Sequence, residues 1–370
     1  MIRLQNVCKV FPDGTEAVRD LSLEIEKGEF CVFLGPSGCG KTTSLKMINR
    51  LIPITGGKIL IDGVDTQKRN VNDLRRDIGY AIQNIGLFPH LTVAQNIVTV
   101  PMLKHWPRER QRERARELLD LVGMPPDTFI DRYPSELSGG QQQRVGVARC
   151  LGADPPILLM DEPFGAIDPI TRHKLQEEFL KIQERLKKTI AFVTHDIDEA
   201  IKMGDTVALM RNGELVQHAD PATLLAEPKD RFVRDFVGAD RVLKGLRLLR
   251  ARDVMRVPKL TIPIDATVDA AVELLDARHR SWIPAIDAGD QFRGWIERED
   301  LESSSSLLEA LTPAVSTAAP STPLNEALSM MLGSATGSVA VLDNDDRLVG
   351  LLSFSAIRDV LAVDDESENE

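Results

Sequence analysis

Long apolar runs are what this chain of 370 residues most plainly lacks. No stretch approaches the ~18 consecutive apolar residues that carry a helix across a bilayer, which excludes a helical membrane span. The opening Met1-Ile2-Arg3-Leu4-Gln5 lacks the charged-then-apolar pattern of a secretory signal. Cysteine is scarce. Cys8, Cys31, Cys39 and Cys150 are scattered without CxxC spacing, which predicts reduced thiols and a cytoplasmic address. An excess of positive charge is missing too. The formal net charge is −11, whereas a duplex nucleic acid would want a basic face.

What is present describes a globular chain: 43% hydrophobic and 27% charged residues. Its length exceeds one ordinary core and predicts two or three domains. Charge is unevenly placed. Leu246 to Glu370 holds 11 basic and 22 acidic residues, while 1–245 holds 34 of each. That break marks a change of architecture.

The most informative stretch is Gly35-Pro36-Ser37-Gly38-Cys39-Gly40-Lys41-Thr42-Thr43. It follows the apolar run Phe30-Cys31-Val32-Phe33-Leu34 and precedes a pattern with Leu45, Ile48 and Leu51 at helix spacing. Strand, glycine-rich turn and helix are the context that the GxxxxGK[ST] phosphate loop requires. Glycines let backbone N–H groups approach phosphate without a Cβ in the way. The following helix adds its positive dipole end. Lys41 is placed to reach the β- and γ-phosphates and the Thr42 hydroxyl to hold Mg²⁺. A nucleoside triphosphate site is therefore expected, and a chance lysine after a glycine turn is the reading set aside.

Two further clusters bear on chemistry. Asp161 ends the apolar run Ile157-Leu158-Leu159-Met160 and is followed at once by Glu162. Beside a phosphate loop, that placement lets Asp161 organise Mg²⁺ and leaves Glu162 to polarise the attacking water. Alone, the pair would be an acidic strand end. Ser138-Gly139-Gly140-Gln141 opens a helix continuing Gln142-Gln143-Arg144-Val145. It reads either as a simple N-cap by Ser138 or as a second anion cradle. One nucleotide needs one cradle, so two cradles suggest two chains facing head to tail, each closing the other's site.

Between these motifs apolar strands alternate with helices, including an amphipathic helix from about Pro169 to Leu186 and a mostly helical stretch from about Thr92 to Cys150. That alternation predicts an α/β fold with a mostly parallel sheet covered on both faces. Beyond Lys229 the character changes. Lys229 to Lys259 carries ten basic and four acidic residues. Then Val268, Ala271, Ile283, Asp287, Gly294 and Ile296 recur 56 positions on as Leu324, Ala327, Val339, Asp343, Gly350 and Leu352. Each copy reads helix, strand, acidic turn, strand, helix, and two such copies should pack together. Ser303 to Ser306 is a polar linker between them, and Asp364 to Glu370, with five carboxylates, is expected to stay solvated and disordered.

On these motifs the chain resembles the nucleotide-binding subunits of ABC (ATP-binding cassette) transporters over about residues 1–240. The resemblance implies an ABC-type P-loop ATPase with a mostly parallel core sheet, an antiparallel β edge and a helical subdomain at about 88–150. It implies ATP and Mg²⁺ as cofactors. Gly35 to Thr43 is then the Walker A loop, and Gln83 the residue that links Mg²⁺ to the transport subunit, both metal ligand and catalytic residue. Ser138, Gly139, Gly140 and Gln141 belong to the signature that contacts the γ-phosphate across a dimer. Asp161 is the Walker B aspartate, Glu162 the catalytic carboxylate, Asp168 the D-loop aspartate and His195 the switch histidine, with Lys41 also catalytic. Phe11 matches the aromatic that stacks on adenine, where tyrosine is commoner; on sequence alone it reads equally as a core residue.

A narrower similarity bears on the substrate. Gly86-Leu87-Phe88-Pro89-His90-Leu91-Thr92-Val93 and the run Asp161 to Arg172 are similar to the glycine betaine/proline betaine/choline uptake subfamily. That subfamily commonly carries two CBS modules after the ATPase, which the repeat resembles. The implied organisation is an ATPase at 1–240, a basic linker at 241–258, an α+β tandem CBS module at 259–302 and 307–363, and the acidic tail. The implied function is the ATP-hydrolysing motor of an osmoprotectant importer, working as a homodimer or with a related ATPase. Its partners are a separate membrane permease and an extracytoplasmic substrate-binding protein, and it sits peripherally on the cytoplasmic face of the inner membrane.

The repeat departs from adenosine-binding CBS copies, which tend to end Gly, two apolar residues, Thr or Ser, then Asp three on. Here Gly294-Trp295-Ile296-Glu297 leads to Asp300, and Gly350-Leu351-Leu352-Ser353 leads to Ala356. Neither copy is complete, so three readings stand for the module. It senses an adenine nucleotide; or it is a salt-sensitive electrostatic switch against anionic lipid, where contacts contribute ~1 kcal/mol per basic residue; or its charges serve only solubility. For the whole chain the alternatives are an importer of another small solute, a regulatory sensor that borrows an ATPase, and an ABC ATPase acting on nucleic acid or ribosomes. A single cassette without a heptad insertion counts against the last of these.

Overall fold

Five successive buried residues, Phe30–Leu34, need apolar neighbours on both faces. Ile157–Asp161 and Thr189–Val193 are buried throughout in the same way. The computed structural model, which describes residues 1–82, 86–165, 167–334 and 336–362, pairs these three strands in parallel. They form the centre of a six-stranded sheet with the order Glu214–Ala219, Thr206–Arg211, Phe30–Leu34, Thr189–Val193, Ile157–Asp161, Ile78–Ala81. All neighbours are parallel except the terminal hairpin Thr206–Arg211/Glu214–Ala219. An antiparallel sheet built on Ile2–Val10, Glu16–Ile25 and Gly56–Ile61 supplies the β edge.

One core joins both sheets: Ile2, Leu4, Ile25 and Ile59 meet Phe33, Leu159 and Val193, with Leu45 and Ile48 of the helix Lys41–Ile48. Elsewhere in this unit the rings of Phe30, Phe164, Phe179 and Phe192 pack with centroids 5.6–6.4 Å apart, at tilted or edge-to-face angles. Phe179 belongs to the helix Pro169–Leu186, and Phe164 anchors the loop that follows Asp161 and Glu162. Helices Val93–Ile97, Thr99–Leu103, Arg108–Leu121, Pro126–Phe129 and Gly139–Leu151 form the helical part.

Two compact units divide the chain, Met1–Gly238 and Ala239–Glu370. Within the second, the repeat is reproduced strand for strand. Ile262 pairs with Ala285 as Ala318 does with Val341, and Ile283 pairs with Ile296 as Val339 does with Leu352. The copies meet at equivalent turns. Gln291 bridges its own counterpart Arg347, Phe292 N donates to Asp346 O at 3.0 Å, and Leu348 N donates to Asp290 O at 3.4 Å.

Two segments pack on the copy they do not adjoin in sequence. Within the basic stretch 241–258, Leu246, Ala251 and Val254 lie in the core of the second copy with Leu324, Met331 and Leu352. Their apolar spacing is masked in the sequence by the arginines around them. Conversely Leu307 and Ala310 lie in the core of the first copy, and Leu311–Thr312 pairs with Phe292–Glu297. The second copy's sheet begins at Thr317–Ala318. The two exchanges are equivalent under the repeat, since Thr312 pairs with Trp295 as Arg256 bridges Leu351. The glycines are explained by it: a Cβ on Gly294 would lie 3.1 Å from Leu311 Cδ1, and one on Gly350 2.4 Å from Met255 Sδ.

The first copy also lacks the closing helix, having only a 3₁₀ turn at Asp300–Glu302. Hydroxyls of Ser303 and Ser304 donate to Asp300 O at 3.4 and 2.8 Å, taking the carbonyl a helix would use. The acidic tail 364–370 lies outside the described residues.

Candidate active site

The phosphate loop is shaped by its glycines. Gly35, Gly38 and Gly40 have φ of 144°, 80° and 104°. A Cβ on Gly35 would stand 2.2 Å from Met210 O, and one on Gly40 2.5 Å from Ala17 O, while Gly38 has open space. Pro36, Ser37 and Gly38 are exposed, Gly35, Cys39 and Gly40 buried, and Thr43 half-buried. Gly38→Ala should therefore cost only backbone strain of ~1–2 kcal/mol, whereas Gly40→Ala adds a backbone collision. In a nucleotide titration Gly38→Ala is expected to keep binding within about tenfold and Gly40→Ala to lose it; equal affinities would contradict this account.

Lys41, at the first turn of its helix, is 5% exposed. Its ammonium donates to the carbonyls of Gly35 at 2.6 Å and Pro36 at 3.0 Å, so the charge lies inside the loop. The next residue, Thr42, donates its hydroxyl to Asp161 Oδ1 at 2.7 Å. Asp161 is 4% exposed. Burial raises its pKa above the usual carboxylate range and adjacent Glu162 adds to the rise, while the Thr42 bond, Lys46 and Lys41 oppose it. A carboxylate short of cationic compensation, joined to a hydroxyl, is an oxygen pair that suits Mg²⁺. Near it the buried Tyr80 hydroxyl has no partner among the described residues, and burial pushes it up to about 12.

Glu162 takes φ 45°, a conformation costing a non-glycine residue on the order of 1–3 kcal/mol. Its N–H donates to Val193 O at 3.0 Å, which turns the side chain out of the strand. Glu162 Oε1 then lies 3.2 Å from His195 Nδ1. The His195 side chain is 60% exposed and that of Glu162 21%, so the pair sits at the mouth of the site, open to substrate and water.

Ser138 caps the helix Gly139–Leu151: its hydroxyl accepts from Gln141 N at 3.3 Å and Gln141 Oε1 accepts from Ser138 N at 2.9 Å. The N-cap reading thus holds as geometry. Gly139 is open to solvent, and a Cβ on Gly140 would meet Thr171 Cγ2 at 3.2 Å. Gly140 therefore lies against the start of the helix Pro169–Leu186, which Asp168 caps by accepting from Thr171 N at 3.0 Å. That bond holds Asp168 below the usual carboxylate range. Lys41, Thr42, Asp161, Glu162 and His195 come together at the ends of adjacent strands. Ser138 to Gln141 and Asp168 form a second surface beside each other.

Phe11 is half-buried and lies outside the core, in a turn where Gly14 N donates to Phe11 O at 2.9 Å. Lys9 Nζ stands 5.0 Å from its ring centroid, a contact the sequence did not reveal. Gln83 falls outside the described residues. In the CBS copies, Asp300 accepts from the Thr312 hydroxyl at 3.2 Å, Ser353 Oγ accepts from Ala356 N at 3.3 Å, and Ala356 is buried in the second core.

One cluster of metal-ligating types stands apart, Glu29, Cys31 and His218. Two of its three groups are poor ligands as they stand. Both Glu29 oxygens accept bonds, from the Thr206 hydroxyl and from Glu26 N, and burial pushes the Cys31 thiol up to about 12.

Comparison with known proteins places the fold. The ABC transporter family model matches residues 18–165, and the CBS domain model matches 251–306 and 308–363. The chain is 44% identical to the choline transport ATP-binding protein OpuBA of Bacillus subtilis and 45% identical to the osmoprotectant import ATP-binding protein OsmV of Salmonella typhimurium. Each match covers 98% of this chain and 96% of the relative. A dimeric post-hydrolysis state of an ATP-binding cassette bound to ADP and Pi superposes with TM-score 0.55 at 36% identity, over 60% of this chain and 98% of that one. Among the described residues no helix is long and apolar enough to cross a membrane. The chain, which carries two CBS domains, belongs to the ATP-binding proteins of the ABC transporter family, ATP hydrolases coupled to transport, and its relatives are named for osmoprotectant, choline, carnitine and glycine betaine transport.

Proposed function

We propose that this chain is the motor of an importer for quaternary-amine osmoprotectants, with Glu162 as the general base of ATP hydrolysis. The observation that carries it is the Glu162–His195 contact of 3.2 Å, set beside a glycine cradle holding the Lys41 ammonium. The loop amides and Lys41 bind the phosphates; Glu162 accepts a proton from the attacking water; His195 orients Glu162 and reaches the γ-phosphate. Thr42, Asp161 and Gln83 would hold Mg²⁺, which supplies charge neutralisation at the phosphate oxygens. Phe11 stacks on adenine from its exposed turn.

Ser138, Gly139, Gly140, Gln141 and Asp168 serve the site of a second chain, so hydrolysis needs a dimer. The exposed Gly139 supports this, since its open backbone invites close approach. The dimer docks peripherally on a membrane permease fed by a substrate-binding protein. Quaternary amines are the cargo because the relatives named for choline, carnitine and osmoprotectant transport match nearly the whole chain.

The CBS module regulates the motor, and ionic strength is the favoured signal. Exposed ion pairs within its unit, such as Arg256–Asp359 at 2.7 Å, weaken as salt shortens the Debye length to ~8 Å. The imperfect nucleotide motif supports the same preference.

Vesicles carrying this chain with its permease should take up labelled betaine, choline or carnitine only with internal MgATP, more strongly as internal salt rises. Uptake of none of these amines would exclude the substrate assignment, and a salt response unchanged by removing 239–370 would exclude the regulatory one.

A further inference from the structure

Glu199 is 8% exposed, and its carboxylate takes no part in the chemistry above. It lies in the first turn of the helix Ile197–Met203. On one side it accepts from the Thr194 hydroxyl at 2.5 Å, and Thr194 Oγ1 in turn accepts from Asp196 N at 3.0 Å. Those two bonds bracket His195. On the other side Glu199 accepts from Gln176 Nε2 at 3.0 Å. Gln176 is in the helix Pro169–Leu186, which Asp168 caps. Arg172 of the same helix places its charge near Glu199 and donates Nη2 to Ile167 O at 3.0 Å. Its buried Nε has no partner among the described residues.

We infer that Glu199 is a positioning residue: one buried carboxylate fixes the His195 loop against the helix that presents Asp168. The reasoning is geometric. Thr194 points inward: its N–H donates to Phe33 O at 3.1 Å, which fixes the strand end, and its hydroxyl is held by Glu199 at 2.5 Å, while the Glu162 side chain faces His195 at 3.2 Å. A buried carboxylate with two neutral donors fixes both directions at once, since losing either partner strands a polar group away from water. Because Asp168 serves a second chain in the reading above, on which this inference rests, the same group links the loop of one site to the loop of the other.

Nothing in this arrangement touches the phosphate cradle. Removing it should slow turnover and leave nucleotide binding alone. In the full chain Glu199→Ala is expected to lower kcat about ten- to a hundredfold, the scale of an ångström-sized misplacement of a catalytic group, while MgATP affinity stays within about threefold. The isosteric Glu199→Gln can keep both contacts, since its amide oxygen accepts from one partner and its NH₂ donates to the oxygen of the other, and it is expected to hold kcat within a few-fold of the starting protein. That rescue separates positioning from a merely structural role. Gln176→Leu, which removes the contact to the second helix alone, is expected to slow turnover in the same direction and carries the test if the alanine variant does not fold. Normal kcat in a folded Glu199→Ala or Gln176→Leu, or a Glu199→Gln that folds and binds MgATP yet is as slow as Glu199→Ala, would overturn the inference. His195→Ala is the control. If it turns over normally the reading of the site fails; if it is inactive while Glu199→Ala and Gln176→Leu are normal, only the link fails.

Discussion

Glu162→Gln binds MgATP like the starting protein but hydrolyses it about 10²–10⁴-fold more slowly, the span that a positioned general base contributes. The substitution is close to a pure removal of basicity. Glutamine keeps an oxygen that can face His195 Nδ1 at 3.2 Å, and the backbone that aims the side chain is held independently by the bond to Val193 O. Glutamine also tolerates φ 45° no worse than glutamate does. With the bond to phosphorus uncut, ATP continues to hold two chains together, so the dimer accumulates. Single-turnover hydrolysis and sedimentation with MgATP measure both effects. Hydrolysis at the normal rate would remove Glu162 from the role of base and require another acceptor for the proton of water.

How much of this was legible in the sequence follows from which interactions are local. The phosphate loop could be read because its chemistry is contiguous: strand, glycines, Lys41 and Thr42 lie within a few residues. Asp161 and Glu162 could be read because a buried parallel strand must end somewhere, and carboxylates at such an end have few other uses. The Thr42–Asp161 bond crosses 119 positions of sequence, yet both partners had been marked by their own motifs. Glu199 had no such mark. A glutamate near the start of a helix reads as an ordinary partner of the helix dipole, and its burial depends on Gln176, 23 positions away on another element.

The exchanged segments of the second unit were hidden in the sequence for a related reason. Leu246, Ala251 and Val254 sit among arginines, so charge dominated the reading of 241–258, and only the packed core reveals that their apolar faces belong to the second copy. The repeat itself was visible because two copies share one pattern. The exchange of segments between them was not, since the same apolar residues would satisfy either core. The consequence is electrostatic: the arginines of the basic linker are on a structured segment, and Arg256 faces Asp359 at 2.7 Å.

Lys41→Ala should lower turnover by about 10²–10³-fold, the loss typical when one donor to developing charge is removed, and should weaken MgATP binding with it. This sets it apart from Glu162→Gln. Lys41 acts on phosphate oxygens that are charged before, during and after reaction, so its loss is felt in the ground state as well as the transition state. Its ammonium is held by the carbonyls of Gly35 and Pro36, and it lies in the loop whether or not Glu162 has accepted a proton. Alanine should leave the helix Lys41–Ile48 intact, being the best helix former, while the two carbonyls turn to water. Dimerisation should then fail at ATP concentrations that saturate Glu162→Gln, because the triphosphate that joins the two chains is bound too weakly. A Lys41→Ala chain that still dimerises at those concentrations would show that the signature surface of Ser138 to Gln141, and not the phosphate loop, carries the affinity.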